Sequence, residues 1–165
     1  MVSIRMAKIS CVAVIAFYVA LTAFGNITDY WVNFVYVSHV LGMDEVPPSV
    51  PIHWRAVTSP VLHHAAYVLI IAVEITVAAL CTAGAVAMAR RVHAAAPRFH
   101  AAKGMAIAGL TLGFLLFEGG FIAIGGEWFG MWQAHDFDAV QSAFRILITM
   151  LGVLIFVSLK DEDVV

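Results

Sequence analysis

Charge is what this sequence has least of. Only 12% of its 165 residues are Asp, Glu, Lys or Arg, against 62% hydrophobic. A soluble domain carries about 25% charged and 45–50% apolar residues, so the chain is built for lipid. A basic surplus is missing too: the formal net charge is -2, which gives no overall signature for nucleic acid. Cysteine is nearly absent, and Cys11 and Cys81 stand in separate apolar runs without CxxC spacing. They read as small packing residues rather than as a disulfide or metal pair. The sequence holds no G-x-S-x-G, no phosphate-binding glycine loop, no dinucleotide fingerprint and no internal repeat. These absences lean against an enzyme and name no catalytic residue.

Four apolar runs fill the chain, at about 9–25, 60–89, 104–125 and 139–159. Each is close to the ~20 residues that cross a ~30 Å hydrocarbon core, and in lipid such runs must be helices. The expected fold class is an all-α membrane protein, one compact bundle of four transmembrane helices over residues 1–165. The second run is longer than a crossing needs, so it should tilt or project. Arg5 and Lys8 before the first run resemble a signal peptide, but the run is longer than a usual h-region and no convincing A-x-A site follows, so it is expected to be a retained helix.

Seven of the nine Lys and Arg fall on one side: Arg5, Lys8, Arg90, Arg91, Arg98, Lys103 and Lys160. The positive-inside rule then makes both termini cytoplasmic and the 26–59 and 126–138 connections an extracytoplasmic cap. His93 and His100, in the basic inner connection, would meet lipid headgroups. The stretch DYWVNFVYVSHVLGM, 29–43, extends helix one or forms an amphipathic helix on the membrane. Trp31, Trp54, Trp128 and Trp132, with Tyr30 and Tyr36, form a one-sided aromatic belt. MDEVPPSVP forces an irregular segment. Asn26-Ile27-Thr28 matches a glycosylation sequon but hugs a helix end, which reads as accident.

Three ionisable residues lie within the runs: Glu74, Glu118 and Arg145. Such residues face protein or water rather than lipid. Glu118 and Arg145 are expected at matching depth, ~10 and ~8–9 Å from the cap side at 1.5 Å per residue. A buried cluster of all three is therefore expected. Ser142, Arg145, Thr149 and Gly152 form a polar and small stripe on the fourth helix, read as facing inward. Pro60, His63, Tyr67, Glu74, Ala78 and Cys81 share a face of the second. Gly109, Gly113, Gly119, Gly120, Gly125 and Gly126 read as contact surface for close helix approach. The plainer role of the cluster is to fix helix register; the sharper one is a proton or ion relay.

His39, His53, His63, His64 and His135 lie on or near the cap, with Asp29, Asp44, Glu45, Glu127, Asp136 and Asp138. No HExxH or other compact ligand spacing links them. No cofactor is expected; a haem or metal at these histidines is the minor alternative, and interfacial hydrogen bonding is the plainer role.

NITDYWVNFVYVSHVLGMDE, then HWRAV, GGEWFGMWQ and AFR around Arg145 resemble a bacterial family of predicted small integral membrane proteins, domain of unknown function 2165. GGEWFGMWQ, 125–133, is the most specific piece. The resemblance implies a four-span protein of the bacterial inner membrane and supplies no reaction. It draws attention to Asn26, Asp29, His39, Asp44, Trp54, Arg55, Glu127, Trp128, Trp132 and Arg145, beside His63 from the histidine set.

Three functions are then in play. The favoured one is a non-catalytic accessory or assembly subunit packing against other membrane subunits of a larger complex, a respiratory one among the candidates. The second is a small proton- or ion-coupled transporter using Glu74, Glu118 and Arg145. The third is a redox or metal-binding protein using the outer histidines.

Overall fold

The computed structural model describes residues 2–162, and the fold it shows is all-α. Helix α1 spans Val2–Thr28, α2 Tyr30–Gly42, α3 Pro60–Ala89, α4 Ala96–Ala101, α5 Gly104–Leu115 and α6 Val140–Ser158. Beyond Leu115 the chain keeps winding as a π-helix over Leu116–Trp128. Four segments are long and apolar enough to cross a membrane: Val2–Thr28, Pro60–Ala89, Ala96–Trp128 and Val140–Ser158. Chain reversals put both described ends, and the connection carrying α4, at one end of the bundle. The opposite end, with α2 and the 43–59 and 129–139 connections, is the cap end.

Local chemistry sets the boundaries. Helix α1 breaks at Asp29, whose φ of -110° and ψ of 44° leave the helical region. Met43 closes α2 in the left-handed conformation, φ 54°, with its N–H on the His39 carbonyl at 2.8 Å. A non-glycine residue rarely adopts that geometry. Here the Met43 side chain is buried with Val46 and Phe129 in a small core of the cap, which compensates the strain. Pro47, Pro48 and Pro51 keep the next stretch irregular. Pro60 opens α3 at its first turn, where a missing N–H is harmless.

Within the bundle α1 packs along α3, α3 along α5, and α5 with its π extension along α6. Lipid tails are as apolar as leucine, so dispersion and close approach, not water exclusion, favour these contacts. The closest approach is at Gly84, where an added Cβ would overlap the Ala106 backbone nitrogen and stand 2.6 Å from its Cα. Gly109 faces Cys81, with an added Cβ 2.7 Å from its sulfur, and Gly113 faces the Met150 sulfur at the same distance. Of the paired glycines, Gly119 has open space around it, whereas an added Cβ at Gly126 would stand 3.3 Å from Val140 at the start of α6.

The π segment corrects the helical period assumed from the sequence. Its i→i+5 bonding winds more residues into each turn than the α-helix does, and the Phe129 N–H on the Ile124 carbonyl at 3.0 Å closes it. Leu116, Gly120, Phe121, Ile124 and Gly125 share one side of it.

Candidate functional site

The buried polar residues gather where α1, α2 and α3 meet. Glu74 is 2% exposed and accepts a hydrogen bond at 2.7 Å from the Asn26 side-chain amide. Asn26, itself 7% exposed, accepts at its side-chain oxygen from Asn33 at 2.8 Å and at its backbone carbonyl from the Tyr67 hydroxyl at 3.2 Å. Asn26 and Asn33 stand on opposite sides of the Asp29 break, so this chain of bonds fixes how α2 leaves α1. Toward the cap, the Tyr30 hydroxyl bonds the Nδ1 of His64 at 2.8 Å, and Phe34 stacks on that imidazole at 4.1 Å. The Tyr30 and Tyr67 rings meet edge-on at 4.8 Å, joining the two sets. Asn33 is a neighbour that the sequence does not single out, and Tyr30 stands there only as part of the aromatic belt. The signal for Asn33 is its seven-residue spacing from Asn26, matching that of Tyr67 and Glu74.

The expected trio of Glu74, Glu118 and Arg145 does not meet. Glu118 is half-buried on the π segment, and Arg145 is exposed on α6 with its guanidinium on the Ser142 hydroxyl at 3.1 Å. Among the described residues the ion pairs are Lys8–Asp161, Lys103–Asp161, His39–Asp44 and His135–Asp136, and none includes the trio. The reason is rotational. Ala143, Leu147, Met150 and Val157 take the buried side of α6, leaving Ser142, Arg145, Thr149 and Gly152 all on its exposed side. The polar stripe expected to face inward faces outward.

In the cap, Arg55 lies between two indoles, 5.3 Å from the Trp54 ring and 4.6 Å from the Trp128 ring, and donates to the Trp128 carbonyl at 3.1 Å. Trp132 and Glu127 are exposed, as is Asp29, which takes the Thr28 hydroxyl at 3.3 Å. Glu45 accepts from the Asp136 and Phe137 N–H groups at 3.0 and 3.3 Å, tying the two cap connections together. The histidines are dispersed. His39 pairs with Asp44 at 2.8 Å and stacks on Phe137. His63 and His53 donate to the carbonyls of Val57 and Pro47. His135 is exposed beside Asp136, whose hydrogen bond raises its pKa. Among the described residues no three His, Cys, Asp or Glu side chains converge as metal ligands would.

At the far end a second polar cluster closes the bundle. Lys8 and Lys103, 1% and 0% exposed, both donate to the Leu159 carbonyl at 2.8 Å and both pair with Asp161. Arg5 donates to the carbonyls of Val92, Ala94 and Glu162 at 2.9, 2.6 and 2.8 Å, and lies 4.7 Å from the Phe99 ring. Burial alone would raise the Asp161 carboxyl; the Lys103 and Lys8 ammonium groups outweigh it and hold the group below the usual carboxylate range. These basic residues thus join α1, α5 and α6 as well as marking one side of the membrane.

Both polar clusters are internal ties, and the chain around them is a set of spans. A family model described as predicted small integral membrane protein (DUF2165) matches residues 4–160. The chain belongs to that family. No curated protein and no solved structure matches it. DUF2165 membership and the four apolar segments make it a multi-pass membrane protein, consistent with an inner-membrane location. The most specific piece of the DUF2165 resemblance, 125–133, covers the end of the π segment and the turn that carries Trp128 and Trp132.

Proposed function

We propose that the protein is a non-catalytic accessory or assembly subunit of the bacterial inner membrane, packing against a larger membrane complex through α6. Both termini lie in the cytoplasm in this reading, because seven of the nine Lys and Arg are at that end. The observation that carries it is the outward stripe of Ser142, Arg145, Thr149 and Gly152. A guanidinium within a span is costly against lipid and is ordinarily met by protein. Arg145 lies five residues, ~7.5 Å, into α6, and Gly152 has open space where a neighbouring helix backbone could come close. A partner helix offering an acidic or acceptor group at that depth suits the stripe.

The test is native purification of a tagged chain from membranes in mild detergent. Co-purification of a membrane subunit in fixed proportion, cross-linking through residue 145, supports the reading. A clean monomer from membranes where the chain is at its natural level overturns it.

One observation favours ion-coupled transport as a second reading. Glu74 lies fourteen residues into α3, ~21 Å from its start, in contact with the polar set that reaches His64. That reading requires Glu74→Gln to abolish a proton-dependent flux while the protein remains folded; an unchanged flux removes it.

A further inference from the structure

We propose that a recess between α2, α3 and the π segment holds one acyl chain of a bilayer phospholipid, with the lipid head at the cap end. The recess has a volume of about 410 Å³ and is lined almost wholly by apolar side chains. An apolar cavity of ~150 Å³ admits a benzene ring, so by that scale this one takes on the order of fifteen carbon atoms. Its lining on α3 runs from Ala66 to Val73, six to thirteen residues from Pro60, or ~9–20 Å below the start of that helix. Counted from the cap end, it therefore spans the outer and middle part of the ~30 Å hydrocarbon core.

The rim names the medium it opens to. Leu69, Leu115 and Ile124 line the recess and are 63%, 57% and 54% exposed, so the mouth is greasy and lateral. A water-soluble ligand has no such route; a lipid chain already surrounds it. The π winding supplies the room, because it puts Gly120 and Gly125 in the wall. At Gly120 an added Cβ would meet only a Leu116 methyl, at an ordinary 3.7 Å.

Polar groups choose the occupant. Tyr36 is the one polar side chain in the lining; its ring meets Phe137 at 4.9 Å, and among the described residues its hydroxyl has no protein partner. Arg55, the single Lys or Arg of the two cap connections, bonds the Trp128 carbonyl one residue before Phe129, which also lines the recess. The Tyr36 hydroxyl in the lining and the Arg55 guanidinium bonded beside Phe129 suit an ester and a phosphate. A neutral quinone head leaves the cation without a counterpart, and a partner helix is too broad to enter a recess of this volume. The inference stands apart from the accessory-subunit reading.

The experiment is native mass spectrometry of the full chain purified in dodecyl maltoside, with its retained lipids extracted and identified. Wild type should keep one phospholipid, and Gly120→Leu should reduce retention at least fivefold by filling the recess. Gly119→Leu, a neighbour with equally open space outside the lining, should retain lipid as wild type does. A quinone as the retained species, no retained lipid, or equal retention in Gly120→Leu overturns the proposal. If Gly120→Leu does not fold, wild type decides the matter in phosphatidylethanolamine–phosphatidylglycerol vesicles doped with a phospholipid bearing a diazirine in its acyl chain. Labelling concentrated on Leu69, Leu115 and Ile124 over the exposed α1 residues Val14 and Phe17 supports it. Uniform labelling, or labelling lost when a partner subunit is bound, overturns it.

Discussion

The Asn26 amide donates to Glu74 at 2.7 Å across the α1–α3 interface, and both side chains are buried. Because Asn26 also accepts from Asn33 and Tyr67, its loss strands several partners at once. Asn26→Ala should destabilise the protein by about 2–3 kcal/mol, because each buried polar partner left unsatisfied costs about 1–3 kcal/mol. Glu74→Gln keeps an acceptor for the amide and should cost less than about 1 kcal/mol. Thermal unfolding in detergent, followed by tryptophan fluorescence, separates the two; equal losses would contradict the donor–acceptor assignment.

Gly84 tests the packing of the spans. Its missing Cβ is what lets α3 and α5 touch at Ala106, so Gly84→Ala must push the helices apart. The expected cost is about 3 kcal/mol, at the upper end for overpacking. Gly25→Ala, with nothing within 4 Å, should range from neutral to about 1 kcal/mol stabilising through helix propensity. The same unfolding assay reads both.

How much of this was legible follows from what lipid does to a sequence. The length of the apolar runs identified four helices, and Tyr67 and Glu74 could be placed on one face of α3 by spacing alone. Spacing could not say which way the stripe at Ser142, Arg145, Thr149 and Gly152 points. In a bilayer both sides of a helix meet apolar surroundings, so hydrophobic contrast does not separate inside from outside. The π winding after Leu115 moves Glu118 off the face that α-helical geometry predicts for it. Asn26 stands among the outer-face candidates, but its bond to Glu74 is not legible, because the two lie 48 residues apart.

Arg145 distinguishes a face for a partner from a face for lipid. Arg145→Ala should leave the isolated chain within about 0.5 kcal/mol of wild type, as exposed substitutions usually do. Recovery of the co-purifying subunit should drop several-fold. Unaltered recovery would place the contact elsewhere on the bundle.

Acid should open the cluster at the termini end. The folded Asp161 carboxyl titrates below its unfolded value of ~3.9. Its contribution is complete above that value and is lost as pH falls through the lower folded one. Limited proteolysis should thus find the chain after α6 protected at pH 7 and cut faster below about pH 4. Asp161→Asn should lose about 3 kcal/mol at pH 7, because two buried ammonium groups lose their carboxylate. A variant as resistant as wild type would count against the tie.

Arg55 between Trp54 and Trp128 should be unforgiving of lysine, which keeps the charge but lacks a flat guanidinium to stack. Arg55→Lys is expected to cost about 1 kcal/mol and to shift the fluorescence of the indole pair. Unchanged emission would mean the stacking contributes little.

The tie at Leu159 and Asp161 also has a bearing on the order of manufacture. Lys8 leaves the ribosome early, and its carboxylate partner follows 153 residues later. At ~5–20 residues per second that is a wait of roughly eight to thirty seconds, during which Lys8 has neither its carbonyl nor its carboxylate. The bundle cannot close at that end until the last span is in place. Closure there comes last, after every helix before it has left the ribosome.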